Sequence, residues 1–370
     1  MNQTDHEKRF LLISIIPQKV TKQEVQSDLD ELISLVETYE GEVVKTIVQR
    51  REVHDKGNYI GKGKIEEVSQ LIKEENIDAI VFNAILKPTQ IYDLYTIFEK
   101  QKADIQVWDR VDLILKIFAK HANTAEARLQ IELAAMRHMG PRIYGMGYEL
   151  SRQGGGLGTR GIGETNTEIM KRHLKKQMKI IKDKLEKLTK NRKKLVDRRR
   201  KIGLPTVSLV GYTNAGKTSL FNTLTGKRKL VKNALFATLD SNVGKICLEN
   251  ASREILVSDT IGFIRNLPPQ LIDAFKSTLM ESIYCDLLLH VIDIADANME
   301  EKIATVEENL KDLGLEDKPK LYVFTKVDKA KNRVRDIALE NYYLFNPQFT
   351  STVTGQGITE LVDTISRKLS

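Results

Sequence analysis

One stretch restricts the fold of this chain more than any other: "GYTNAGKT", Gly211 to Thr218. It satisfies G-x-x-x-x-G-K-[ST], and it lies between an apolar run, "PTVSLVG", that reads as a buried strand and a segment, "SLFNTLTG", that reads as a helix. In that setting the glycines allow a tight loop and the backbone N–H groups converge on an anion at the helix N-terminus. Lys217 then reaches the terminal phosphates and Thr218 offers its hydroxyl to Mg²⁺. The nucleotide-contacting set here runs from Gly211 through Tyr212, Thr213, Asn214, Ala215, Gly216, Lys217 and Thr218 to Ser219.

Three further pieces follow in order. "DTIG" places Asp259 at the end of an apolar run, where it holds Mg²⁺ through water, and gives the Gly262 N–H to a γ-phosphate. "TKVD" offers the Asp328 carboxylate to the two donors on the guanine edge and the aliphatic stem of Lys326 to the face of the base. "TSTVTGQG" brings a backbone N–H from Ser351, Thr352 or Val353 toward the guanine oxygen. Each piece is weak alone, and together they specify a guanine-nucleotide switch. Within "FATLD", Phe236 belongs to the nucleotide set, and Thr238 supplies the hydroxyl that closes on Mg²⁺ when the γ-phosphate is present. Lys217, Thr238 and Gly262 are the expected catalytic residues.

Two departures from the commonest pattern matter. Thr325 stands where guanine-reading sites usually carry Asn, and "ST" replaces the usual "SA"; a threonine can still brace the phosphate loop by a hydrogen bond. Phe263 follows Gly262 where a Ras-like protein has the glutamine that orients the attacking water. Phenylalanine neither orients nor deprotonates water, so hydrolysis is expected to be slow without help. A K⁺ ion near Asn214 is one source of help, and a polyanionic partner that orders the switch loops is another.

Charge points to that partner. The net charge is +8, but Thr167 to Ile202 carries sixteen Lys or Arg against four Asp or Glu, so the rest of the chain is net negative. A local excess of this size favours nucleic acid. Within the segment Leu174, Met178, Ile181, Leu185, Leu188 and Leu195 recur at three and four, with Arg192 in the one missing position, which is a heptad seam with charged flanks. Upstream, Leu129, Leu133 and Met136 mark another helix, which the glycines and proline of "GPRIYGMGYELSRQGGG" are expected to stop. The economical arrangement is an antiparallel helical hairpin with "QGGGLGTRGIGETN", residues 153–166, at its tip and Glu164 and Thr165 opening the second helix.

The first third alternates apolar runs ("RFLLISII", "EVVKTIVQ", "DAIVFNAI", "DIQVWD") with helical spacing, predicting a small, largely parallel sheet. "YIGKGKIEE" there reads as an ordinary strand-to-helix turn. The domain expectation is therefore an α/β subdomain over 1–120, a hairpin over 121–202 and a phosphate-loop domain over 203–370. With 41% hydrophobic and 29% charged residues the chain reads as a soluble protein. Its longest apolar stretch is broken by Asp286, His290 and Asp293, and no transmembrane segment or export signal is read. Cys247 and Cys285 read as buried thiols, which fits a cytoplasmic location.

"GGGLGTRGIGETN" with its basic helix, "GYTNAGKTSLFNTLT", "FATLD" and "DTIGFIRNLPPQLIDAFKSTL" resemble the HflX family of translational GTPases, and "NYIGKGKIEEV" and "FAKHANTAEARLQIELA" are similar to its first domain. The resemblance covers nearly the whole chain. It implies GTP hydrolysis with Mg²⁺, binding to the large ribosomal subunit and its RNA, and dissociation, rescue or protection of stalled or inactive ribosomes under stress. Because the phosphates of GTP already have a loop, the glycine tip is placed to meet ribosomal RNA, with Arg152, Gly154, Gly155, Gly156, Arg160, Lys175 and Lys176 as contacts. The chain is expected to be monomeric, with peripheral membrane association left open. Two rivals stand beside this reading: an RNA-remodelling NTPase of broad nucleotide use, and a ribosome-binding scaffold with weak turnover.

Overall fold

The computed structural model describes residues 7–153, 160–227, 235–236, 242–246, 254–265, 271 and 279–370. By internal contacts the chain divides into two compact units, one of residues 1–120 and 129–184 and the other of residues 121–128 and 185–370.

The first unit opens with β1 (Lys8–Ile16), α1 (Lys22–Thr38), β2 (Gly41–Arg50), α2 (Lys62–Glu74), β3 (Ala79–Phe82), α3 (Pro88–Glu99), β4 (Gln106–Asp109) and α4 (Arg110–His121). The strands lie in the order β2-β1-β3-β4 and every pairing is parallel. Central β1 is apolar nearly throughout and buried over Phe10–Ser14, as expected of a strand covered on both faces, whereas edge strand β2 is mostly part-exposed. Thr21 and Glu24 form a capping box that starts α1 and turns Leu29, Leu32 and Val36 onto the sheet. In the "GKGK" turn Gly61 is the N-cap of α2, and its N–H donates to Gln49 Oε1 at 3.3 Å.

Two long helices follow, α5 (Ala125–Gln153) and α6 (Arg160–Lys201). Glu126 in the first turn of α5 pairs with Arg192 of α6 at 3.5 Å, so the start of one helix meets the far half of the other, as an antiparallel pair requires. Three expectations are corrected here. First, α5 runs through Gly140 and Pro141 to Gln153 instead of stopping. One residue beyond the proline, Arg142 is buried and clamped to the end of β4, which holds the next turn in place at the cost of one backbone hydrogen bond. Second, α6 begins at Arg160, ahead of Glu164 and Thr165. Third, the seam runs through Ile181, Leu185, Leu188 and Arg192 to Val196, which is 5% exposed, while Leu195 is 56% exposed. A step of four after Arg192, in place of three, follows the 3.6-residue turn of a straight helix.

The second unit continues with β5 (Thr206–Gly211), α7 (Lys217–Thr225), β6 (Asn242–Ile246), β7 (Ile255–Asp259), α8 (Met280–Tyr284), β8 (Leu287–Asp293), α9 (Met299–Asp312), β9 (Lys320–Thr325), α10 (Asn332–Tyr342), β10 (Gln348–Phe349) and α11 (Ile358–Leu369). Its sheet order is β10-β9-β8-β5-β7-β6, parallel except for β6 against β7. β5 sits in the middle, and its neighbours β7 and β8 end at Asp259 and Asp293, so the phosphate loop leaves the sheet between two carboxyl-terminal acids. A core of Val207, Leu209, Leu220, Val257, Leu289 and Val323 holds these strands beneath the loop.

Candidate nucleotide site

The loop between β5 and α7 is folded by its glycines. Gly216, the N-cap of α7, has φ +93°, which favours glycine, and a Cβ on Gly211 would stand 2.3 Å from the Val291 carbonyl oxygen, where no side chain fits. Lys217 is buried, and its Nζ donates to the carbonyls of Gly211 (3.1 Å) and Tyr212 (2.6 Å). Burial pushes its ammonium down to about 8, against the pull of Asp259. Among the described residues its hydrogen-bond partners are these two carbonyls, so the charge is poised for a stronger anionic partner. Thr218 donates to Asp259 Oδ2 at 3.0 Å, which brings together the hydroxyl and the carboxylate expected to serve Mg²⁺. Both are hard oxygen donors, and that donor set fits the ion.

The start of the "DTIG" segment lies against this loop. Thr213 N–H donates to the Phe263 carbonyl (2.8 Å) and Phe263 N–H to the Gly211 carbonyl (3.0 Å), a two-bond parallel bridge. A Cβ on Gly262 would fall 2.8 Å from Thr213 Cα and 2.9 Å from Lys217 Nζ, so only glycine lets the segment come this close. The Phe263 ring is buried. Arg265 N–H donates to the Tyr212 hydroxyl at 2.9 Å, and the Arg265 guanidinium pairs with Glu301 of α9 at 2.7 Å.

On the base side, Thr325 Oγ1 lies 2.7 Å from the Ala215 carbonyl and 3.0 Å from that of Ile292, so the threonine braces the phosphate loop as its hydroxyl allows. Lys326, at φ +57°, sends Nζ to the Asn214 carbonyl (2.9 Å) and to Asp293 Oδ2 (2.6 Å). Ser351 Oγ donates to Asp328 Oδ1 at 2.6 Å and accepts from Val353 N–H and Thr354 N–H at 3.2 Å, which fixes the carboxylate expected to read the base. The structure thus gathers residues 211–219, Asp259, Gly262, Thr325, Lys326, Asp328 and Ser351 at the carboxyl end of one sheet. Phe236 is buried with φ +57°. Thr238 and Gly154–Gly156 lie outside the described residues, as do Cys247 and the side chains of Arg152 and Arg160. Lys175 and Lys176 are exposed on α6.

Sequence reading missed Thr260 and Tyr212's hydroxyl, and gave Asp293 no role beyond ending an apolar run. Asp293 pairs in register with Thr325, and its position at the end of an apolar strand was the available signal. Thr260 donates to the Leu209 carbonyl at 2.5 Å, tying the two strands that carry the loop and Asp259.

A second charged cluster lies in the first unit. Asp109, Asp112 and His138 have cation-ligand spacing, but Arg142 donates to Asp109 Oδ2 and Asp112 Oδ2, both at 2.6 Å, and fills the place a cation would take. The cluster is an ion-paired knot and not a metal centre. Burial alone would lower His138, yet its bonds to the two carboxylates push it up to about 9. Burial opposes ionisation of Asp112, and His138 and Arg142 still hold it down at about 2.

Comparison with known proteins agrees with this geometry. The family described as "GTP-binding GTPase N-terminal" matches residues 26–119, "GTP-binding GTPase Middle Region" matches 121–199, and "50S ribosome-binding GTPase" matches 206–326. A GTPase HflX from Caldanaerobacter subterraneus subsp. tengcongensis is 44% identical over 87% of this chain and 73% of its own. The chain belongs to the HflX GTPase family. The HflX of Escherichia coli K12 is 37% identical over 95% of this chain and 81% of its own. Among solved structures, a GTP-binding protein from Sulfolobus solfataricus in complex with GDP aligns over 98% of both chains at 27% identity and a TM-score of 0.50. A complex of SsGBP with GDP aligns over 97% of this chain and 98% of its own at 26% identity and a TM-score of 0.54. As a member of the HflX family the protein binds guanine nucleotide and hydrolyses GTP, and phosphate-loop GTPases as a class use Mg²⁺. No helix among the described residues is long and apolar enough to cross a membrane.

Proposed function

We propose that this HflX protein binds the large ribosomal subunit in its GTP form and leaves after hydrolysis, dissociating, rescuing or protecting stalled or inactive ribosomes. The carrying observation is α6: a 42-residue helix on which Lys171, Lys175, Lys176, Lys179, Lys182 and Lys187 are all exposed, in a protein whose nucleotide phosphates have a separate loop. Such a face suits the phosphate backbone of RNA, and the glycine tip with Arg152 and Arg160 is the part to enter it. The match to a family described as 50S ribosome-binding supports the same partner. A cytoplasmic place of work follows from that partner.

In this reading GTP orders the segments around Thr238 and Gly262, with Mg²⁺ held by Thr218, Thr238 and, through water, Asp259. Lys217 meets the terminal phosphates, Lys326 and Asp328 meet the base, and ribosomal RNA stabilises the ordered form. K⁺ near Asn214 supplies part of the missing catalytic charge. The test is GTP turnover by the purified protein with and without large subunits, in potassium and in sodium buffer. Stimulation by the subunits, larger in potassium, is the expected outcome. Slow turnover indifferent to subunits would instead favour a ribosome-binding scaffold, a reading to which the apolar Phe263 lends weight.

A further inference from the structure

Among the described residues, several hydroxyls around the nucleotide site have hydrogen-bond partners and the buried Thr213 hydroxyl has none. Thr218 donates to Asp259, Thr260 to the Leu209 carbonyl, Thr325 to carbonyls of the loop and of β8, and Ser351 to Asp328. Thr213 is 6% exposed, and among the described residues its Oγ1 has no hydrogen-bond partner. A buried hydroxyl left unpaired in a well-formed site calls for a reason.

Its position supplies one. The Thr213 backbone is pinned by the Phe263 carbonyl at 2.8 Å, so the side chain is carried by a fixed support. A Cβ on Gly262 would meet Thr213 Cγ2 at 2.8 Å and Lys217 Nζ at 2.9 Å. The Thr213 methyl therefore faces the Gly262 backbone beside the Lys217 ammonium, which places its hydroxyl-bearing Cβ next to the two groups read as meeting the terminal phosphate. Phe263, at the position where a water-orienting side chain would act, is apolar and buried.

We propose that the Thr213 hydroxyl takes over this task, accepting a hydrogen bond from the attacking water and donating one to the γ-phosphate. The step balances without any proton gained or lost by Thr213. The water oxygen forms a bond to the γ-phosphorus, and the bond to the bridging oxygen breaks with its electron pair leaving on GDP. The displaced water proton ends on inorganic phosphate. The inference rests on the reading of residues 211–218 as the phosphate site, and it adds to that reading the group that orients the water.

The test compares Thr213→Val, which keeps the shape and removes the hydroxyl, with Thr213→Ser, which keeps the hydroxyl. Single-turnover GTP hydrolysis and affinity for a non-hydrolysable GTP analogue are measured on the full chain, with thermal melting as a check of folding. Thr213→Val is expected to bind the analogue up to about tenfold more weakly, since a hydrogen bond to the γ-phosphate is lost in the ground state as well, and to hydrolyse the bound nucleotide on the order of 10²-fold more slowly, the usual cost of losing one transition-state hydrogen bond. Thr213→Ser should recover most of the lost rate. Unchanged hydrolysis in Thr213→Val, equal slowness in both variants, or loss of analogue binding in Thr213→Val would each overturn the proposal. Lys217→Ala run alongside separates the two readings: if it retains analogue binding, the phosphate-site assignment itself fails.

Discussion

The two sheets of this protein treat charge at their carboxyl ends in opposite ways. At the end of β4, Asp109 and Asp112 cap each other's N–H groups (3.0 and 2.9 Å), and Arg142 and His138 neutralise both carboxylates. Two buried carboxylates meet the Arg142 guanidinium and the His138 ring, so that among the described residues both acids are already partnered. At the end of β5 the buried ammonium of Lys217 has two carbonyls for hydrogen-bond partners, and the Thr213 hydroxyl has none among the described residues. The same architecture therefore yields a fastening in one unit and a receptor in the other. What separates them is whether the chain itself supplies the last partner.

Removing one member of each cluster should expose the difference. Arg142→Ala leaves two buried carboxylates facing each other and is expected to cost about 3–5 kcal/mol of stability, read by denaturant unfolding. A loss under about 1 kcal/mol would mean the knot is not a fastening. Lys217→Ala should do the reverse. Nucleotide affinity is expected to fall by about 2–5 kcal/mol while the free protein melts at or above the parent temperature, because a poorly compensated buried charge has been removed.

Acidity offers a gentler version of the same contrast. His138 is raised from 6.5 to about 9, so its contribution is complete below about pH 6.5 and is lost as pH rises through about 9. Asp112 is lowered from 3.8 to about 2, so its contribution is present above about pH 4 and disappears as pH falls through about 2. Stability from the knot should thus form a plateau between about pH 4 and 6.5, falling by about 2–3 kcal/mol toward pH 9.5. His138→Gln should flatten the alkaline limb, and an unaltered limb would assign the loss elsewhere. The smallest effect is expected at Thr325. Replacement by Ala removes one brace of the phosphate loop and should weaken GDP binding by about 1 kcal/mol, whereas Asn should bind about as well as the parent.

The phosphate site was the most legible part of the sequence, since the spacing from Gly211 to Thr218 is local, Asp259 ends an apolar strand and Asp328 follows the end of another by three residues. The bracing by Thr325 could be read from its hydroxyl alone. By contrast, the passage of α5 through Pro141 depends on Arg142 meeting carboxylates about thirty positions earlier, and no local pattern carries that. β6 and β10 are short edge strands, "NVGKI" and "QF", with too little apolar character to mark them. The choice of Val196 over Leu195 is one residue of helical phase, which hydrophobicity cannot decide when both candidates are apolar.

The stitching of β9 to the phosphate loop carries a kinetic consequence. Thr325 holds the Ala215 carbonyl and Lys326 holds the Asn214 carbonyl, so the end of β9, beside the residues proposed to read the base, is tied to the loop proposed to grip the phosphates. Release of GDP should then be a single concerted opening in place of sequential loss of base and phosphates. A factor that accelerates exchange could succeed by prying at either end.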